Sequence, residues 1–107
     1  MDPVVCLVTT PPGQADAIAT ALVERELVAC VNIVAAVQSV YRWKGAVQRD
    51  EESLLVLKTT RDAVGALNDA LRELHPYETF ELLALDVAGG SADYLAWIGR
   101  SVARPEG

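Results

Sequence analysis

Residues 29–60, ACVNIVAAVQSVYRWKGAVQRDEESLLVLKTT, predict one long antiparallel β-hairpin. In the first half of this stretch apolar and polar residues alternate, which is typical of a half-buried strand. Lys44-Gly45 supplies the turn, because glycine takes positive φ at no steric cost. The return arm ends in the apolar run 54–57. The alternation places the following residues on one face: Ala29, Val31, Ile33, Ala35, Val37, Tyr41 and Trp43.

The predicted arms are long for a chain of this size. About 14 residues at a rise of ~3.3 Å span ~46 Å. A compact domain of 107 residues has a diameter of only ~34 Å. The apolar end of the hairpin should therefore protrude and associate with another chain, burying Val37, Tyr41 and Trp43. A bulge that bends the arms is the alternative, and it is compatible with association.

The flanking sequence completes an alternation of strands and helices. Hydrophobic periodicity predicts, in order, a strand at 4–10, a helix at 14–27, the hairpin, a helix from a Thr60 or Asp62 cap to His75, a strand at 81–87 and a helix capped by Ser91. The order β-α-β-β-α-β-α matches an α+β, ferredoxin-like split βαβ sandwich with an extended hairpin and an additional C-terminal helix. We expect one domain over residues 1–107.

Composition and net charge limit the binding partners and the cellular compartment that we expect for this protein. Fifteen acidic residues against nine basic ones give a net charge of −6, which disfavours binding to nucleic acid. No apolar run approaches the ~20 residues of a membrane-spanning helix, and the first residues lack the pattern of a signal peptide. We expect a cytoplasmic protein with neither nucleic-acid nor membrane partners. Cys6 and Cys30 lie in apolar strands and should be reduced and buried; a metal-binding or reactive thiol is the alternative.

A candidate metal site follows the second predicted helix, in the segment HPYETFE at residues 75–81. His75, Glu78 and Glu81 offer one imidazole and two carboxylates around a proline-stiffened turn, a donor set that suits Cu(II) or Zn(II). Such a site would bind weakly and would not be obligatory for folding. The alternative is a histidine stabilised at a helix C-terminus, with solvated glutamates.

Lys58 is unusual because it continues the apolar face of a predicted central strand. It should emerge at the end of the strand or pair with a carboxylate, from Glu52, Glu78 or Glu81. The alternative is that it presents a positive charge to an anion. Tyr41 and Trp43 are interpreted as packing residues, and Tyr77 is a further candidate for a ligand cleft. The sequence contains no recognisable catalytic signature, so no enzymatic activity is expected.

Several segments together resemble the CutA divalent-cation tolerance proteins. They are ACVNI at 29–33, SVYRWKG at 39–45, LKTT at 57–60, HPYE at 75–78 and YLAW at 94–97. The resemblance implies a ferredoxin-like protomer, a cytoplasmic homotrimer similar in architecture to the PII signalling proteins, and a role in tolerance to copper and other divalent metals. Family copper ligands include a first-strand cysteine and a histidine pair before Pro-Tyr. Here Val8 and Leu74 stand at two of these positions and Phe80 replaces a proline.

Three functions remain open at this level. The first is a non-catalytic trimer that binds divalent metal ions, copper among them. The second is a PII-like trimeric sensor that binds a small anionic ligand in clefts between subunits, with Tyr41, Trp43, Lys58 and Tyr77 as candidate cleft residues. The third is a structural or partner-docking trimer.

Overall fold

The computed structural model describes residues 2–104, which form a four-stranded antiparallel sheet and three α-helices. In chain order the elements are β1 (Pro3–Thr10), α1 (Ala15–Glu24), β2 (Cys30–Trp43), β3 (Ala46–Thr60), α2 (Val64–Leu74), β4 (Leu83–Asp86) and α3 (Ala92–Ser101). Within this part of the chain no helix is long and apolar enough to cross a membrane.

The sheet has the order β2-β3-β1-β4, so β1 and β3 occupy its centre. The two apolar runs of the sequence fall on these central strands, where Cys6 pairs with Leu57 and Val8 with Leu55. Both neighbours of β1 run antiparallel to it. The ferredoxin-like fold predicted from the sequence is therefore confirmed.

α1 and α2 cover one face of the sheet and leave most of the other open, whereas α3 packs in a separate small cluster with Ala29, Ala63 and Val102. Residues of β1 alternate between half-buried and buried. The buried ones pack with the apolar stripes of α1 and α2 in a core that includes Val4, Cys6, Val8, Ile18, Leu22, Leu55, Leu57, Leu67 and Leu71. The open face carries apolar side chains instead of the polar ones expected of a solvated face. These are half-buried or exposed, and we call them the open apolar face: Val5, Leu7, Val34, Leu54, Val56, Leu83 and Leu85.

The hairpin formed by β2 and β3 has the predicted extent. Trp43 pairs with Ala46 across a two-residue turn in which Lys44 and Gly45 both have positive φ, 51° and 78°. Such a turn matches the twist of its strands. The structure measures 43 × 27 × 23 Å with a radius of gyration of 14.3 Å, against ~13 Å for a compact domain of this length. The elongation is that of a protruding hairpin.

β2 contains a β-bulge, and because of it the residues predicted to share one face of the hairpin lie on two faces. Ile33 pairs with Leu55 but Val37 pairs with Glu52, so one extra residue of β2 is accommodated between the two pairs. Ala36 takes a φ of 60°, in the left-handed region. Directly paired residues share a face, and positions 55 and 52 of β3 lie on opposite faces. Ile33 therefore belongs to the helix-covered face, whereas Val37 belongs to the open one.

The same bulge changes the face of everything beyond it. Tyr41 and Trp43 follow Val37 in register and point with it to the open side, against the prediction that they continue the face of Val31 and Ile33. The bulge named in the predicted alternative is thus present. It exchanges the faces of the strand and leaves the hairpin long.

Helix and strand ends differ from the prediction for local reasons. α1 ends at Glu24 because Glu26 has a φ of 57°, which is incompatible with further helix. α2 follows a single 3₁₀ turn at Arg61–Ala63, and neither Thr60 nor Asp62 makes the predicted side-chain cap. β4 begins at Leu83, later than the predicted start at residue 81, because backbone pairing with β1 starts there. His75 ends α2 in extended geometry, as predicted for a residue before proline.

The two cysteines are free and lie on opposite faces of the sheet, since Cys6 pairs with Leu57 and Cys30 with Lys58. The prediction of burial is confirmed for Cys6. Cys30 is only half-buried within the protomer.

We expect the two thiols to react at different rates with a thiol reagent in native buffer. Burial raises the pKa of the Cys6 thiol, so the reactive thiolate is scarce and inaccessible there. In the Cys30→Ser variant, the remaining thiol, Cys6, should be labelled at least ~100-fold more slowly in the folded protein than in denaturant. The Cys6→Ser variant, which reports Cys30 alone, is the comparison. Rapid native labelling of Cys6 would contradict the described core.

Candidate functional site

His75 anchors the segment that joins α2 to β4. Its side chain is buried, its Nε2 lies 2.7 Å from the Thr9 carbonyl oxygen, and its Nδ1 accepts a 3.1 Å hydrogen bond from the Tyr77 backbone N–H. A carbonyl only accepts and an N–H only donates, so Nε2 carries the proton of a neutral imidazole. The ring also stacks on Phe80 at 5.3 Å. Phe80, which stands where the family usually has a proline, thus packs against the imidazole of His75.

A cleft of about 680 Å³ separates this segment from the hairpin. We call it the acidic cleft. Ser39, Tyr41 and Trp43 line it from β2, and the 76–81 segment lines it from the other side with Tyr77, Glu78 and Glu81. Glu52 of β3 and Thr9 of β1 complete the polar lining. The bulge matters here, because it is what turns Tyr41 and Trp43 toward this side of the sheet.

Glu52 is the most buried acid of the cleft, with 6% of its surface exposed. Its Oε2 accepts a 3.3 Å hydrogen bond from the Tyr77 hydroxyl. Among residues 2–104 the ion pairs are Arg25–Glu73, Arg61–Asp2 and Arg61–Asp86, so no cation neutralises Glu52. A buried carboxylate normally has a charged partner or several donors, because desolvation of an unpaired charge is costly.

The carboxylates of the cleft influence one another and the nearby phenols. Burial raises the pKa of Glu81, and the charge of Glu52 raises it further. Burial and the Glu52 charge likewise raise the pKa of Tyr77. The hydrogen bond that Tyr41 donates to Asp50 raises the pKa of Tyr41 to about 12. The cleft therefore has a negative potential, which attracts cations and repels anions.

The predicted metal residues are close in space but do not form a ready ligand cluster. Within residues 2–104, no group of three or more His, Cys, Asp and Glu side chains is arranged to hold a metal ion. Glu78 and Glu81 line the cleft, whereas both nitrogens of His75 are engaged in the protein. Metal ligation by His75 stays a prediction, and it requires that one of these two hydrogen bonds break.

Lys58 lies far from the acidic cleft, at the other end of the hairpin. Its Nζ points to Cys30 Sγ at 3.8 Å and forms no ion pair with Glu52, Glu78 or Glu81. The predicted carboxylate pairing is therefore wrong for the protomer. Lys58 pairs with Cys30 in register, ten positions along β3 from the partner of Tyr41. One protomer does not bring Lys58 together with Tyr41, Trp43 and Tyr77.

Sequence reasoning assigned Glu52 only as a possible partner of Lys58, and it did not assign Asp50 or Thr9 to a site. The acidic run 50–52 looks solvated in the sequence. One signal was available for Glu52: positions 52, 54, 56 and 58 share a strand face, and two of them are apolar. That pattern places a carboxylate where burial is expected.

The sheet order and the helices place the chain in the class of small α+β proteins with a ferredoxin-like fold. The chain belongs within it to one family, the CutA divalent-cation tolerance proteins. The family model described as "CutA1 divalent ion tolerance protein" matches residues 4–101.

Related proteins span bacteria, animals and plants. The chain is 47% identical over 95 residues to the divalent-cation tolerance protein CutA of Thermus thermophilus, covering 88% of this chain and 92% of the relative. It is 46% identical over 81 residues to protein CutA of Homo sapiens, covering 76% of this chain and 45% of that protein. The chain thus spans nearly the whole bacterial relative but about half of the human one.

Solved structures agree with the fold throughout the chain. CutA1 of Oryza sativa superposes with a TM-score of 0.93 at 36% identity, covering 96% of this chain and 95% of that one. The divalent cation tolerance protein of Thermus thermophilus superposes with a TM-score of 0.92 at 44% identity, covering 94% and 99%.

Proposed function

We propose that this chain is a cytoplasmic homotrimer that acts in divalent-cation tolerance by binding cations, copper or zinc among them, without catalytic turnover. The observation that carries the proposal is the acidic cleft, which has Glu52, Glu78 and Glu81 in its lining and no basic side chain. A cleft of one sign with low-dielectric walls concentrates ions of the opposite sign.

Assembly is supported by the open apolar face. Leu83 and Leu85 of the edge strand β4 are 54% and 48% exposed, and the central strands place half-buried valines and leucines beside them. A continuous apolar surface of this kind on a sheet is typical of an interface. Tyr41 and Trp43 extend the same side into the hairpin, so the proposed contact includes both. The number of copies, three, comes from the resemblance to the family.

Glu78 and Glu81 are the proposed metal ligands of the protomer. His75 can act as a further ligand only if one of the two hydrogen bonds of its ring breaks. Carboxylates and one imidazole, without a thiolate, give modest affinity for Cu(II) or Zn(II). The incomplete donor set of one protomer fits a site that a neighbouring copy completes. No bound metal is required for the described fold, in which Glu52 and His75 already have protein partners.

Calorimetric titration of the assembled protein with Cu(II) and Zn(II) tests the metal proposal. We expect binding that Glu81→Gln weakens by ~10-fold or more, because loss of metal-site contacts has effects of at least this size. The matched control is Glu24→Gln, an equal charge change at an exposed position of α1. Equal affinities in Glu81→Gln and the wild type would remove Glu81 from the site. Absence of binding in the wild type would contradict direct metal binding.

The anion-binding sensor has no comparable support within the protomer. Its aromatic residues line an acidic cleft, and Lys58 lies next to Cys30 instead. Such a site would have to form between copies.

A further inference from the structure

Lys58 is a charged residue on the surface that the proposed assembly covers. It pairs in register with Val5, so its side chain lies on the same side of the sheet as the open apolar face. Lys58 is half-buried, and among residues 2–104 its ammonium group forms no ion pair; it points to the sulfur of Cys30, at 3.8 Å. A thiol sulfur is a weak hydrogen-bond acceptor, and burial of an unpaired ammonium is costly. A chain that covers this surface is therefore expected to bring an anion to Lys58.

Glu52 is the complementary group, on the same strand and on the same side of the sheet as Lys58. Only 6% of its surface is exposed. The neutral hydroxyl of Tyr77 holds Oε2 without neutralising the carboxylate, and Oε1 can accept a further hydrogen bond. Within the part of the chain that the structure describes, Glu52 forms no ion pair. The carboxylate therefore lacks a cation in the same way that Lys58 lacks an anion.

The two charges cannot pair within one protomer. The extended strand places their Cα atoms ~20 Å apart, and Leu54 and Val56 lie between them on the same side. In a cyclic trimer, each interface joins one patch of a chain to a different patch of the next chain. A cation at one end of the open apolar face and an anion at the other end match such an interface. One contact, repeated around the ring, then pairs every Lys58 with a Glu52.

We propose that Lys58 of one copy enters the acidic cleft of the next copy and forms an ion pair with Glu52, donating to its Oε1. The inference rests on the proposed homotrimer and adds the contact that determines how neighbouring copies are placed. It is compatible with the burial of Tyr41 and Trp43 between copies, because the same neighbouring chain covers these aromatic residues. One lysine neutralises one carboxylate of the cleft lining, so the other glutamates of that lining are still available to cations.

A double-mutant cycle on the assembly tests this contact. Lys58→Met keeps the length of the side chain and Glu52→Gln keeps an acceptor for Tyr77, but each leaves the opposite charge buried without a partner. We expect each single variant to weaken assembly by ~30-fold or more. The double variant leaves neither charge and should assemble at least ~10-fold more tightly than either single variant. Light scattering over a dilution series gives the affinities, at a fixed urea concentration in which the wild type partly dissociates.

Lys44→Met and Glu51→Gln are the matched controls, because they remove the same charges from exposed positions in the hairpin turn and beside Glu52. Each should change the affinity by less than ~3-fold, and their effects should add. If Glu52→Gln does not fold, Glu52→Asp takes its place in the cycle. That variant retracts the carboxylate, and its effect on assembly should disappear in the Lys58→Met background.

Additive effects of the substitutions at positions 52 and 58, in a wild type that is trimeric, would overturn the inference and leave the proposed function intact. A wild type that is monomeric would contradict both the proposed assembly and this contact. Recovery of assembly in the double variant supports the ion pair, because a merely structural role of either residue would not make the second substitution favourable.

Discussion

Replacement of Val56 by Asp is expected to convert the proposed trimer into monomers. Val56 lies at the centre of the open apolar face, on a central strand, where its direct neighbours in register are Leu7 and Asn32. In the protomer the new carboxylate remains partly accessible to water, so the fold should survive. In an assembly the same carboxylate would be buried without a partner, which costs several kcal/mol for each copy.

Light scattering on a size-exclusion column measures the effect directly as a mass of one chain in place of three. Val23→Asp is the matched control, because Val23 is also exposed (42%) but lies on α1, away from the open apolar face. The control should remain trimeric, and its unfolding midpoint should still rise with protein concentration. A trimeric Val56→Asp protein would place the interface elsewhere, and a monomeric wild type would contradict assembly altogether.

His75→Ala is expected to lower the free energy of unfolding by about 3 kcal/mol. The change leaves the Thr9 carbonyl and the Tyr77 N–H without their partners, each at a cost of ~1–3 kcal/mol if no water replaces the ring. It also removes the surface on which Phe80 stacks. Denaturant unfolding at a fixed protein concentration gives the value.

Glu78→Ala is the control for this prediction, since Glu78 is exposed on the same segment. It should change stability by less than ~0.5 kcal/mol, as is usual at the surface. If His75→Ala were equally mild, the histidine would be free to serve mainly as a ligand. If the loss is as large as expected, any metal titration of this variant needs a check that the 76–81 segment is still folded.

The periodicity of the sequence was enough to predict the fold. Each helix has an apolar stripe, the hairpin has a Lys44-Gly45 turn, and the two continuous apolar runs belong on central strands. Together these local patterns predict the ferredoxin-like arrangement, and the observed sheet order confirms that arrangement. Helix ends were less predictable because they depended on single backbone conformations, such as the positive φ of Glu26.

The site was less predictable because it depends on a bulge that the sequence does not mark. Ala35 and Ala36 carry no turn signal, and alanine rarely adopts positive φ. Without the bulge, Tyr41 and Trp43 would be placed on the wrong face and the cleft would not be seen. The burial of Glu52 also requires knowledge of where the 76–81 segment lies, and this contact spans 25 positions in the chain.

Because of the bulge at Ala35–Ala36, the face that each distal side chain occupies depends on whether residues are added or removed in odd or even numbers. Between the core and the tip, a strand that gains or loses an even number of residues keeps the sides of all later side chains, whereas an odd change reverses them. The one-residue insertion in β2 is such a reversal. Deleting Ala36 would therefore reverse the faces of the side chains between the bulge and the tip of the hairpin. Tyr41 and Trp43 would turn away from the open side of the sheet, and Arg42 would take their place there. A neutral alanine would then determine the chemistry of a surface that it does not contact.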